Sequence, residues 1–166
     1  ALSSAASDVY KRQLMQDVYA VYEELYADEN VTCLIQESAM REQEREAFLE
    51  AFAKDNEKTL VGFCIMGGIF SEGIDLDGEK LIGAAVVGAG IPQVGPEREL
   101  LKQYFDRSGE NGFDYAYRYP GMHKVLQAAG RVIRTTEDTG VILLLDERFR
   151  NREYRELFPR EWEDCR

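Results

Sequence analysis

Short, continuously apolar runs alternate along this chain with stretches of helical periodicity, and no other feature narrows the possible folds as much. Runs at residues 31–35 (VTCLI), 59–66 (TLVGFCIM), 80–87 (KLIGAAVV) and 141–145 (VILLL) have the length and composition of strands. Between them, residues 14–27 space Leu14, Val18, Val21, Tyr22 and Leu25 as an amphipathic helix, and residues 41–54 turn Phe48, Ala51 and Phe52 to one side. Residues 96–107 open with a proline and acidic side chains, a favourable helix start. A short helix is expected near 151–157, ahead of a polar tail. Strands that are apolar throughout, rather than alternating, are buried on both faces, and intervening helices allow them to pair in parallel. The chain therefore reads as one α/β domain, a parallel sheet with helices on both faces. Its 166 residues and 45% hydrophobic content suffice for a real core. No internal repeat or low-complexity linker divides it.

The stretch Gln127-Ala-Ala-Gly-Arg-Val-Ile-Arg134 carries the densest chemistry. If residues 120–134 form one helix, each residue turns the chain by about 100°. Gln127, Arg131 and Arg134, at i, i+4 and i+7, then share a face. Met122, Val125, Leu126, Ala129 and Ile133 fall on the opposite, apolar face. Gly130 lies beside the polar row, where a missing side chain admits another backbone or a ligand. Two guanidiniums and an amide on an anchored face suit a polyanion such as a nucleotide phosphate. By spacing alone, a solvated amphipathic helix with ordinary surface charges fits equally well.

A second motif, Gly67-Gly-Ile-Phe-Ser-Glu-Gly-Ile-Asp-Leu76, follows the strand pattern at 59–66. A strand running into a glycine-rich turn is where α/β proteins place ligand-binding groups, outside the carboxyl end of the strand. The two motifs resemble motif V (GxFSEGIDL) and motif VI (QxxGRxIR) of superfamily-2 helicases, specifically the iron–sulfur DinG/XPD family. Ile91-Pro92, Tyr104-Phe105, the aromatic run from Gly112 to Gly121, Glu137-Asp-Thr-Gly140 and Leu145-Asp-Glu-Arg148 also look like bacterial members. The resemblance extends from about Leu14 to Phe158 and Pro159. It implies a RecA-like fold of the P-loop NTPase type, the C-terminal lobe of an ATP-dependent DNA helicase.

By that resemblance, ATP is hydrolysed against a second, N-terminal lobe that supplies the phosphate loop and holds Mg2+. No GxxxxGK[ST] sequence occurs here, so this chain by itself is expected to be inactive. Arg134 matches the arginine finger, Arg131 the preceding motif VI arginine, and Gln127 a residue positioning the phosphates or the attacking water. Asp75 matches the motif V acid on the nucleotide's sugar, with Gly73 and Gly130 on the same ATP side. Ser71, Glu72 and Gly68 are candidates for contact with DNA or for coupling. Each has a plainer reading. Asp75 could cap a helix or hold its own turn, Ser71 and Glu72 could be turn residues, and Gly68 and Gly73 could serve the turn alone. The implied partners are the N-terminal helicase lobe and single-stranded DNA, with no membrane. Two other classes stay open: a non-catalytic nucleotide- or protein-binding RecA-like domain, and an RNA-directed ATPase of the same superfamily.

Several features bound this reading. Cys33 and Cys64 lie in strand patterns and read as reduced core residues, and Cys165 stands apart. The family's four-cysteine iron–sulfur site belongs to the other lobe, so neither a cluster nor a metal is expected here. His123 has no partner pattern for a metal or a proton relay. The formal charge of −11 argues against extensive phosphate contacts, and any DNA track must be built largely elsewhere. No run approaches a membrane span and no signal-peptide pattern opens the chain, which reads as cytoplasmic. Tyr115, Tyr117 and Tyr119 could stack on bases, but aromatics before a proline more often pack a domain edge, and Asp146 with Arg148 reads as a local structural pair. Residues 1–12 do not fit the family and read as an unrelated or disordered leader before a domain at 13–166. The family's strand before the first helix, ending in a Ser-Tyr motif IV, is absent, so the first strand of the sheet is expected to be missing and the fragment marginally stable.

Overall fold

The computed structural model describes residues 2–37, 39–66, 81–133 and 135–162. Motif V and Arg134 thus lie outside the described residues. The chain divides into two compact units, Ala1–Leu81 and Ile82–Arg166. Among the described residues the strands form two parallel pairs, one in each unit.

In the first unit, α1 (Leu2–Tyr26) leads to β1 (Val31–Ile35), α2 (Glu42–Ala53) and β2 (Thr59–Phe63). The strands pair in parallel from Val31↔Thr59 to Ile35↔Phe63, and α2 makes the crossover that such pairing requires. Successive residues of a strand face opposite sides, and β2 uses both. At Gly62 a Cβ would lie 2.5 Å from Phe52 Cζ, so α2 covers that side. At Phe63 the ring meets Tyr19 and Tyr22 of α1 edge-on, at 5.2 and 5.7 Å between centroids. Phe48 is buried and packs on Phe52. The start of α2 is tied by Glu44, whose carboxylate accepts the Arg41 backbone N–H at 2.6 Å and the Arg41 guanidinium at 3.0 Å. Those bonds hold the Glu44 carboxyl below its usual range.

The second unit runs β3 (Gly83–Val87), α3 (Pro96–Arg107), a π-helical turn (Asp114–Arg118), α4 (Tyr119–Ala129) and β4 (Val141–Leu145). Short helical turns follow, among them α5 (Arg152–Arg155). β3 and β4 pair in parallel from Gly83↔Val141 to Val87↔Leu145. α4 lies against β3, and its buried seam is Met122, Val125 and Ala129. The approach is close because Gly121 sits on the loop after β3, where a Cβ would lie 2.7 Å from the Ala89 carbonyl oxygen. The aromatic run packs internally. Tyr115 stacks on Phe105 at 3.9 Å, and buried Tyr117 donates its hydroxyl to Glu99 at 2.5 Å. Arg118 lies over the rings of Phe113 and Tyr154 and pairs with Asp114 at 2.7 Å. The packing reading of Tyr115 and Tyr117 holds; Tyr119 stays exposed.

Several expectations change. The first helix begins at Leu2 rather than near Leu14, so residues 2–12 join one continuous helix. Of the expected apolar face Tyr22 does pack on Phe63, beside Tyr19, whereas Leu14, Val18, Val21 and Leu25 are exposed. The strand expected over 59–66 ends at Phe63, because β1 ends at Ile35 and the Ile65 N–H bonds instead to the Gln36 side chain. Cys33 is half-buried in β1, but Cys64 falls past the end of β2 and is exposed. β4 is covered on one side only within its unit, leaving Val141, Leu143 and Leu145 exposed. No helix among the described residues is long and apolar enough to cross a membrane.

The contact at Gly121 yields a test. Gly121→Ala places a methyl group against backbone, which cannot rotate away. Urea unfolding should show a loss of about 1–3 kcal/mol. The same change at Gly95, where a Cβ would meet nothing within 4 Å, should be far milder.

Candidate functional site

Of the residues that the sequence singled out, the structure describes Gln127, Gly130 and Arg131. It brings them together at the C-terminal end of α4, though not on one continuous helical face. The helix ends at Ala129, with Gly130 as its cap at φ −66° and ψ −5°. Glycine and the β-branched pair Val132-Ile133 are poor helix formers, and they follow at once. The next turn is tighter: Arg131 N–H reaches the Ala128 carbonyl at 3.3 Å, and Val132 N–H reaches that of Ala129 at 3.0 Å. Such i→i+3 bonds advance the chain by about 120° per residue rather than about 100°. The i, i+4, i+7 row expected for Gln127, Arg131 and Arg134 is therefore not propagated by helix. Gln127 and Gly130 are exposed and Arg131 is half-buried. The neighbours of a Cβ at Gly130 would be the Leu126 and Gln127 carbonyls, so no other backbone among the described residues uses that gap.

The turn is anchored by a residue that the periodicity misplaced. Val132 is 3% exposed, whereas Ile133, expected on the apolar face, is 42% exposed. Val132 fills the space left by Gly140, where a Cβ would lie 2.3 Å from Val132 Cγ1. Gly140 immediately precedes β4, so strand entry and helix exit fix each other, and with them the backbone of Arg131. A helix C-terminus carries partial negative charge from its outward carbonyls. Among the described residues this end therefore offers an anion arginine and amide side chains rather than a row of backbone N–H groups.

At the carboxyl end of the same strand pair, Asp146 is a fully engaged carboxylate. It accepts the Arg148 backbone N–H and Nε at 2.9 Å and Nη2 at 2.6 Å. The Arg148 guanidinium, desolvation opposing it, holds the Asp146 carboxyl below the usual range, and the Ala89 N–H adds to the effect. Gly88 and Gly90, at φ 88° and 64°, flank Ala89 and let the loop turn back toward the aspartate. The Asp146–Arg148 pair expected from sequence is thus present, and it also clamps the loop after β3. That second role spans some 60 residues of sequence, and no local pattern could have shown it.

The clamp predicts a pH dependence. A carboxyl whose pKa is depressed on folding stabilises the fold above its unfolded value, and that contribution is lost as pH falls through the folded value. Asp146→Asn should lower stability by about 1–3 kcal/mol at neutral pH. The gap between the two proteins should close on acidification below about pH 4, the ordinary aspartate value. Denaturant titrations across that range measure it.

Comparison with known proteins shows the family. Residues 9–165 match the family described as the helicase C-terminal domain. The chain is 36% identical over 104 residues to the ATP-dependent DNA helicase DinG of Photobacterium profundum, covering 61% of this chain and 15% of that protein. It is 35% identical over 101 residues to the ATP-dependent DNA helicase chl-1 of Caenorhabditis elegans, covering 58% of this chain and 12% of that protein. With the general transcription and DNA repair factor IIH helicase subunit XPD/RAD3 of Saccharomyces cerevisiae it shares 33% over 115 residues, 64% of this chain and 14% of that protein. The chain thus spans about one-seventh of the length of these relatives. Its small parallel sheets and mixed helices and strands are compatible with an α/β RecA-like lobe. The chain belongs to the helicase C-terminal domain family, in its DinG/XPD branch.

Proposed function

We propose that this chain is the second motor lobe of an ATP-dependent DNA helicase, supplying one wall of an ATP site and coupling hydrolysis to movement along single-stranded DNA. The observation that carries the reading is the family match over residues 9–165. The placement of Gln127, Gly130 and Arg131 at one anchored helix end supports it. In this reading Arg134 is the arginine finger that offsets charge on the transferring phosphoryl group, and Arg131 adds a second guanidinium on the phosphate side. Gln127 positions the phosphates or the attacking water. Asp75 reaches the sugar, with Gly73 and Gly130 leaving room for the nucleotide, and Ser71, Glu72 and Gly68 serve the DNA side or the coupling. The partner lobe holds Mg2+ and the phosphate loop. The charge of −11 favours few direct phosphate contacts from this lobe.

Two measurements test this. The chain by itself should turn over no ATP above background, since it has no Gly-rich phosphate-loop sequence ending in Lys-Ser or Lys-Thr. Steady turnover by the pure chain would end the half-site reading. In the two-lobe enzyme, Arg134→Ala should cut ATP turnover by roughly 10³-fold while nucleotide binding persists. Arg134→Lys should rescue poorly, because an ammonium lacks the planar fork. Near-normal turnover by the alanine variant rejects the finger. Stimulation by single-stranded DNA over RNA separates this function from an RNA-directed ATPase.

A further inference from the structure

Gln36 stands just past the end of β1, and it makes two bonds to the strand beside it. Its backbone N–H donates to the Phe63 carbonyl at 2.8 Å, closing the β1–β2 ladder. Its side-chain Oε1 then accepts the Ile65 N–H at 2.9 Å, across 29 residues of sequence and in a part-buried setting. The carboxamide thus adds one rung to a ladder whose partner strand has run out. It does so at the carboxyl end of a parallel pair, the end at which α/β folds gather ligand-binding groups. Ile65 is two residues before Gly67, the first residue of the Gly67–Leu76 motif. Past Phe63 the Ile65 N–H meets no strand carbonyl among the described residues, and a part-buried N–H without an acceptor is disfavoured. One side chain from the end of β1 thus holds the Ile65 backbone N–H.

We infer that Gln36 is a positioning residue for motif V, acting through the Ile65 backbone to set how the chain enters the segment that carries Ser71, Glu72 and Asp75. The inference rests on the motor-lobe reading above. Gln36 touches neither nucleotide nor DNA in this role. It holds the backbone through which DNA binding is communicated to ATP turnover, and only its acceptor oxygen is needed. Glutamate keeps that oxygen. Methionine keeps the shape and removes it.

The test compares Gln36→Met and Gln36→Glu in the two-lobe enzyme by two readouts. Amide exchange at Ile65 should quicken by about threefold to tenfold in Gln36→Met, the loss of one net hydrogen bond, and return toward wild type in Gln36→Glu. The ratio of ATP turnover with and without single-stranded DNA should fall about fivefold in Gln36→Met and recover in Gln36→Glu. A merely structural role would reduce the folded fraction, which scales both rates alike and leaves that ratio unchanged. An unchanged ratio, unchanged Ile65 exchange, or failure of Gln36→Glu to restore the ratio overturns the inference. A wild-type enzyme that single-stranded DNA does not stimulate overturns the motor-lobe reading itself, and that outcome shows before any variant is made.

Discussion

Parallel pairing of β3 with β4 is the constraint on which the second unit depends. Parallel strands cannot be joined by a tight turn, so the chain must cross over through a long connection and return. Here that connection holds α3, the aromatic π-helical turn and α4. Because β4 starts level with β3, in the register Gly83↔Val141, the chain leaving α4 at Ala129 has to come back to the start of β4 at Val141. Val132 in the space left by Gly140 is how it does so. The position of Arg131 follows from that packing, and its chemistry is only as well placed as the strand pairing allows.

Glycine is used here for what it leaves out. At Gly121 and Gly140 the missing Cβ lets an element come within touching distance of a backbone or a buried valine. At Gly88 the gain is conformational, a left-handed turn that brings Ala89 to Asp146. Polar side chains then finish what the strands leave undone. Asp146 ties the loop after β3 through the Ala89 N–H, Gln36 extends the β1–β2 ladder, and Glu44 closes the start of α2. In each case a backbone N–H at the end of an element meets a side-chain oxygen. Such groups are obligatory donors, and an element end without an acceptor would be disfavoured.

Much of this was legible in the sequence. β1 and β4 fall where the apolar runs at 31–35 and 141–145 place them, because five consecutive strand-forming residues bounded by polar ones leave little choice. α3 matches its expected bounds, set by Pro96 at the start and Ser108-Gly109 after its end. Two motifs sufficed to point to the family that the comparison then showed. The site was less legible. Motif VI is a pattern of residue types, and treating it as uninterrupted helix put Ile133 on the buried side that Val132 occupies. Of the α1 stripe Leu14, Val18, Val21, Tyr22 and Leu25, Tyr22 takes the contact with Phe63, but its companion there is Tyr19 from outside the stripe, and the four aliphatic residues stay exposed.

Sequence by itself determined what is local: which runs extend, which coil, where glycine or proline ends an element, and which residue types carry the family's chemistry. Those properties arise from backbone sterics and periodicity over a few residues. Tertiary structure decided what depends on distant partners. It seated Val132, rather than Ile133, in the space left by Gly140. It stopped β2 at Phe63, because β1 had no more backbone to offer and a glutamine oxygen stood in its place. Burial and hydrogen bonding across 29 or more residues are set by which surfaces meet, and no local pattern encodes that meeting.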